Sequence, residues 1–339
     1  MMLLFTRLRE CILQPIFGAA LLACLTLPGY ANAESLAEQA TPLAQALSHE
    51  RYISYVPRSF SMRQGTPQPA NPAGIRADLK KLHPYFSGLI TYGLGNGQET
   101  IPELAIAAGF RSVILGVWDP KDHQELDLAI ALARRYPQQI TALVLGNEGL
   151  FWKRYTSADI TAAAAYVRKQ LPQLALGSSE PFSVYLDTPD AAALFALDLI
   201  LPNVHPRFEP WFDPANTDQA VTFVIEVLQR LHERTDKPIL IKETGLPSGP
   251  AEQGFNEVRQ AAFWSTLLQR TTQNSTQNIA CFEAFDAPWK PVELQDEFGH
   301  LEPSEAHWGL FDQHGRAKLV INALGNWPPT ATPPAVSIE

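Results

Sequence analysis

Two glutamates stand where an apolar run gives out. The stretch TALVLGNEGLFW, Thr141 to Trp152, carries such a run into Gly146-Asn147-Glu148, with Phe151 and Trp152 close behind. The stretch KPILIKETGLPS, Lys237 to Ser248, runs into Glu243 and then Gly245 and Pro247. Short apolar runs that end in a turn signal read as strands buried on both faces. Each carboxylate therefore stands at a strand end, where parallel sheets and barrels keep their chemistry. A pair of this kind, about 5 Å apart, suits retaining cleavage of an acetal: one carboxyl protonates the leaving oxygen while the other attacks the anomeric carbon. On this reading Glu148 and Glu243 are the catalytic pair. The plainer reading makes them helix caps or partners of nearby Lys and Arg. Lys242 is no ready partner for Glu243, because strand alternation points adjacent side chains to opposite faces.

Further side chains gather at the same ends. Asn147 could hold the hydroxyl next to the anomeric centre, or serve as a turn residue. His205, in Asn203-Val204-His205-Pro206, could orient Glu243, touch substrate, or be structural. Tyr55, Tyr92, Phe182, Trp211 and Trp289 are candidates for sugar stacking, Tyr92 and Trp289 foremost. Glu180, Glu283, Asp286 and Lys290 could bond hydroxyls or close salt bridges inside the mouth.

Other chemistries fit less well. Gly93-Leu94-Gly95-Asn96-Gly97 lacks the dinucleotide spacing and the Lys-Ser/Thr of a phosphate loop. The eight histidines form no His-x-x-x-His, and no cysteine pair has metal-ligand spacing. Ser178, Ser179 and Ser248 lack the Gly-x-Ser-x-Gly elbow. No metal, nucleotide or other cofactor is expected.

The elements that must position these residues alternate in type. Strand-like runs cover Tyr52 to Val56, Gly88 to Tyr92, Ser112 to Val117, Thr141 to Leu145, Leu174 to Gly177, Leu197 to Val204, Pro238 to Lys242 and Ile279 to Phe285. Helical spacing lies between them, as in Leu126-Ile130-Ala133 and Val221-Val224-Ile225-Leu228-Leu231. Eight such units predict an α/β fold, a closed (β/α)8 TIM barrel in one domain over residues 51–325, with no unpaired strand edge. Asp119-Pro120, Thr156 to Asp159 and Asp213-Pro214 read as helix starts, Thr156 to Asp159 as a capping box. The long aromatic loops after the strands predict a cleft.

The 339 residues are 46% hydrophobic and 18% charged, the composition of a globular chain with a large core. Residues 1–33 join Arg7 and Arg9 to an apolar run and to Ala31-Asn32-Ala33, which reads as a secretory signal peptide with the mature chain starting at Glu34. Leu21-Leu22-Ala23-Cys24 offers a rival, a lipid anchor on Cys24. Cleavage leaves Cys281 as the single cysteine, so no internal disulfide is expected. Residues 34–50 read as an N-terminal extension with at most a short helix, and residues 326–339, with four prolines, as an extended tail. The formal net charge of -9 disfavours nucleic acid and anionic membrane as partners and suits a neutral substrate. No further segment is long and apolar enough to span a bilayer. A monomer is the expectation.

The phrases Leu145-Gly146-Asn147-Glu148, Lys242-Glu243-Thr244-Gly245-Leu246-Pro247-Ser248, Phe282 to Lys290 (FEAFDAPWK) and Trp308-Gly309-Leu310-Phe311 occur in that order. Together they resemble glycoside hydrolase family 17, the β-1,3-glucanase family, and are closer to its bacterial members than to plant enzymes. The resemblance covers roughly residues 51–325. It implies a retaining double displacement on a β-1,3-linked glucan polysaccharide or oligosaccharide, with Glu148 as acid/base, Glu243 as nucleophile and Lys290 in contact with substrate. Either water or a sugar hydroxyl could be the acceptor, giving a hydrolase or a glucanosyltransferase; a glucan-binding protein without turnover is the reading from another class. The chain departs from the family pattern at Leu246, where Trp is usual, at Ala287, where Glu is usual, and at His205, where plant members carry Tyr. The expected location is exported, in a bacterial periplasm or medium.

Overall fold

The structure, a computed structural model, describes residues 41–295 and 299–327. The expected signal peptide, the Cys24 lipid site, the start at Glu34 and the tail beyond Trp327 lie outside the described residues.

Eight parallel strands close into a barrel: β1 Tyr52–Ser54, β2 Gly88–Ile90, β3 Ser112–Val117, β4 Ile140–Asn147, β5 Ala175–Pro181, β6 Leu199–Asn203, β7 Ile239–Ile241 and β8 Gln277–Cys281. Each strand pairs with its neighbours in chain order, and β1 pairs with both β2 and β8. All eight expected strands form, so the chain is the (β/α)8 barrel that the alternation predicts. Alternation also sorts the core. Tyr52, Ile90, Ile114, Ala142, Val144, Leu199, Leu201, Leu240 and Ala280 fill the barrel interior, while their strand neighbours Ile53, Leu89, Val113, Leu143, Ile200, Ile239 and Cys281 face the surrounding helices.

The expected extension is in part a built element. The helix Pro42–His49 starts on Thr41, whose Oγ1 accepts from Ala44 N at 3.2 Å, with proline in its first turn. Leu43, Ala46 and Leu47, at i, i+3 and i+4, bury against the interior cluster. Asn278, near the start of β8, donates to Leu47 O (2.8 Å) and Glu50 O (3.0 Å), so the helix closes the end of the barrel opposite the strand termini. Fully burying Leu47 alone contributes about 1.5–3 kcal/mol.

Helix starts follow their caps. Thr156 and Asp159 form the expected capping box of Ser157–Arg168. The other two starts shift by three residues: Asp122, not Asp119, caps His123–Arg135, and Asn216, not Asp213, caps Thr217–His232. After β1 the chain makes a hairpin, Ser61–Arg63 with Thr66–Gln68, whose turn donates from Gln64 N and Gly65 N to the Glu293 carboxylate at 2.7 and 2.8 Å. No helix among the described residues is long and apolar enough to cross a membrane.

Candidate active site

Glu148 reaches the barrel mouth because β4 breaks its own alternation. Pairing with β5 shifts register between Val144 and Asn147, and Gly146 takes a φ of +88°. A Cβ on Gly146 would stand 2.1 Å from the Tyr155 hydroxyl, so only glycine both adopts this turn and admits Tyr155. The turn brings Asn147 and Glu148 to line one cavity. Glu148 itself holds a positive φ of 53°, a strained conformation for a residue with a side chain. Ser179 O on β5 fixes its amide at 2.7 Å. Asn203, at the end of β6, donates from Nδ2 to Glu148 Oε1 at 2.8 Å and accepts from Ser179 Oγ at 3.0 Å.

Glu243 follows β7 and bridges to Asn203, Val204 N donating to its carbonyl at 2.8 Å. Its side chain lines the same cavity. Lys242, read from alternation as no partner, is its principal partner: Nζ donates to Glu243 Oε1 at 2.6 Å and to Asn147 Oδ1 at 2.8 Å. Leu240 points into the barrel and Lys242 shares its parity, but its flexible stem carries the ammonium up to the mouth. Alternation fixes the direction of a Cβ; it does not fix where a long side chain ends. The ammonium lies 3.9 Å from the centre of the Tyr92 ring. His205 Nε2 stands 3.3 Å from Glu243 Oε2, its ring walled by Phe208, Phe282 and Trp308.

Burial opposes charge on both glutamates, and their neighbours decide the outcome. At Glu148 burial prevails, reinforced by the negative charge of Glu243 and only partly offset by Asn203, His205 and Lys242, so its pKa rises. At Glu243 burial is outweighed by the Lys242 ammonium and by His205, which hold its carboxyl far below the usual range. The cavity thus holds two carboxyls whose pKa values are pushed in opposite directions, Glu148 up and Glu243 down.

Other expected residues divide. Asn147, Tyr92, Phe182, His205, Trp289 and Lys290 line the cavity with the two glutamates. The Tyr92 hydroxyl is buried, its pKa raised by burial and then by Glu243 and Glu283. Lys290 is held by Glu283 at 2.6 Å and lies beside the Phe282 ring.

Glu180 does not reach the cavity. It shares the outward parity of Leu176, is fully buried, and accepts from Leu150 N, Phe151 N and Tyr155 Oη at 3.0–3.2 Å, bracing the loop after Glu148. Burial pushes its pKa up to about 7. Asp286 is likewise turned away, bound to Lys318 Nζ at 2.6 Å and to Gly309 N at 3.0 Å, where it anchors the closing segment. Tyr55 is buried on Asp78, and Trp211, outside the cavity lining, packs on Phe212 and on Phe223, which lines it.

Residues that the sequence reading did not assign complete the wall. Asn203 ends its strand in a polar residue, as Asn147 does, and that signal was legible. Trp118 and Arg154 line the cavity, and Arg154 bonds the carbonyl of Asn147, the residue before Glu148. Glu305 reaches it from a loop closed by the hydrogen bond from Ala287 N to Ala306 O at 3.1 Å, and its Oε1 accepts from Trp308 Nε1 at 3.0 Å. A carboxylate therefore lines this wall although position 287 carries alanine. Among the described residues no group of three or more His, Cys, Asp or Glu side chains forms a metal site.

Residues 53–309 match the BtgE/BtgC glycoside hydrolase domain. The chain belongs to this family. The matched span of this glycoside hydrolase domain contains Asn147, Glu148, Asn203, His205, Lys242, Glu243, Lys290 and Glu305, and leaves the plugging helix Pro42–His49 outside. Similar curated proteins include a glucan 1,3-beta-glucosidase of Arthroderma benhamiae, 24% identical over 304 residues that cover 82% of this chain and 95% of the relative. Another, a glucan 1,3-beta-glucosidase of Saccharomyces cerevisiae, is 22% identical over 85% of this chain and 97% of the relative. Among solved structures, an endo-laminarinase from Formosa Hel1_33_131 shares the fold with a TM-score of 0.66 at 20% identity, over 88% of this chain and 92% of that one. A β-1,3-glucanosyltransferase from Rhizomucor miehei does so with a TM-score of 0.58 at 17% identity, over 80% and 96%.

Proposed function

We propose that this BtgE/BtgC domain is a retaining glycosidase acting on β-1,3-linked glucan, with Glu243 as nucleophile and Glu148 as acid/base. The observation that carries the reading is the opposite protonation bias of two carboxylates in one cavity, each arriving from the end of a different strand. In the first step a Glu243 oxygen attacks C1. The C1–O bond to the leaving sugar breaks with its electron pair on that oxygen, which takes the Glu148 proton. In the second step Glu148, now a carboxylate, removes a proton from the acceptor hydroxyl. The acceptor oxygen bonds to C1 and the ester bond to Glu243 breaks, which restores both carboxyls. Lys242 and His205 keep Glu243 ionised and aimed; Asn147 and Asn203 hold the ring of donors around the pair. The β-1,3-glucan substrate is supported by the names of the curated relatives and by the sequence phrases that resemble family 17.

Water as acceptor gives a hydrolase, the leading reading. A sugar acceptor gives a glucanosyltransferase, a reading favoured by the exposed aromatic wall beside Glu148. Export through the leader at residues 1–33, a bacterial periplasmic or extracellular setting and a monomeric state belong to the same proposal and are supported by the leader pattern and the acidic charge.

The purified protein incubated with reducing-end-labelled β-1,3-gluco-oligosaccharides should yield new labelled species. Only shorter products assign water as acceptor; products longer than the substrate assign transfer. Intact oligosaccharides at the end of the incubation would overturn the glycosidase reading.

A further inference from the structure

We infer that Trp118, backed by Arg154, is the platform on which the leaving sugar stacks in the first step and the acceptor sugar stacks when transfer occurs. This deepens the glycosidase reading above and rests on it. The acid/base gives its proton to the leaving oxygen, so the sugar attached to that oxygen must lie beside Glu148 and away from Glu243. Trp118 occupies that side. It follows β3, the strand next to β4, whereas Glu243 comes from β7 across the barrel.

The platform is built. Glu125 accepts from Trp118 N at 2.9 Å and from Asp119 N at 3.3 Å through Oε2, and from Leu94 N at 2.7 Å through Oε1, which pins the loop that carries the ring. The Arg154 guanidinium lies 4.4 Å from the centre of the Trp118 ring and donates from Nη2 to Asn147 O at 2.5 Å. The ring is thereby tied to the backbone immediately before Glu148. With that support the indole remains 46% exposed in the cavity. Phe151, three residues after Glu148 and 49% exposed, lines the same cavity. A pyranose presents an apolar C–H face that covers such a ring, and the sugar hydroxyls stay at the water-facing edges.

The test compares two donors that differ only in what leaves. Laminaritetraose loses a sugar, and β-laminaribiosyl fluoride loses fluoride. In Trp118→Ala the ratio of kcat/KM for the tetrasaccharide to that for the fluoride should fall about tenfold, and Trp118→Phe should recover most of it. If transfer products form, their yield relative to hydrolysis should fall in parallel. A ratio equal to wild type in Trp118→Ala would overturn the platform while leaving the glycosidase reading intact. A wild-type protein that turns over neither donor would overturn the glycosidase reading, and the platform with it.

Discussion

Glu148 and Glu243 face one cavity from opposite sides, and the two sides are built differently. The Glu243 side is cationic and fully ordered by charge: Lys242, itself buried, bonds both Glu243 and Asn147, and His205 takes the other oxygen. Among the described residues no cation is bonded to the Glu148 carboxylate. One amide, from Asn203, meets it, the backbone is strained at φ +53°, and the wall beyond is the exposed ring of Trp118. Burial pushes both groups upward, so the opposite outcomes lie in what offsets it. Where an ammonium bonds the carboxyl directly, its pKa falls, as the proposed nucleophile needs; where an amide bonds it and the cations act only from a distance, its pKa rises, as the proposed acid needs. The proposed division of roles is a property of neighbours, since the residue type is the same.

Exchanging one glutamate at a time is the sharpest break of that comparison. Glu243→Gln should lower turnover on every donor by on the order of 10⁴-fold or more, because no covalent intermediate forms. Glu148→Gln should cost about 10²- to 10⁴-fold on oligosaccharides, yet much less on the fluoride, which leaves without a proton. Equal losses on both donors in Glu148→Gln would refute the assignment.

Lys242→Met removes the cation and keeps the stem. The acidic limb of the kcat/KM profile should move to higher pH, because Glu243 loses the charge that holds its pKa down, and kcat/KM should fall about 10²- to 10³-fold. A profile with an unmoved acidic limb would mean that Lys242 is a scaffold for Asn147 alone.

Asn203→Ala tests the milder side. Its amide lowers the Glu148 pKa, so its loss should shift the alkaline limb to higher pH and reduce kcat/KM about tenfold, the worth of about one hydrogen bond. An alkaline limb that moves down would show that another group sets it.

The eight strands, the capping box at Thr156 and the two strand-end glutamates were legible in the sequence, because period-2 burial, cap chemistry and an apolar run ending in a carboxylate are local patterns. The sorting of the secondary carboxylates was less so. Glu180 and Asp286 stand at strand ends like Glu148, but one lies on the outward parity under the loop 149–155 and the other faces Lys318, a residue far along the chain. Parity could have flagged Glu180; nothing local flags Lys318.

The sequence by itself determined the barrel and its catalytic candidates, since every strand and cap is written within a few neighbouring residues. Only the tertiary structure decided which glutamate has its pKa raised and which has it lowered. That depends on Lys242 bending up to the mouth, on Asn203 arriving from β6 and on Arg154 lying against Trp118. These contacts join distant segments through side-chain tips, whose positions the period of a strand leaves undetermined.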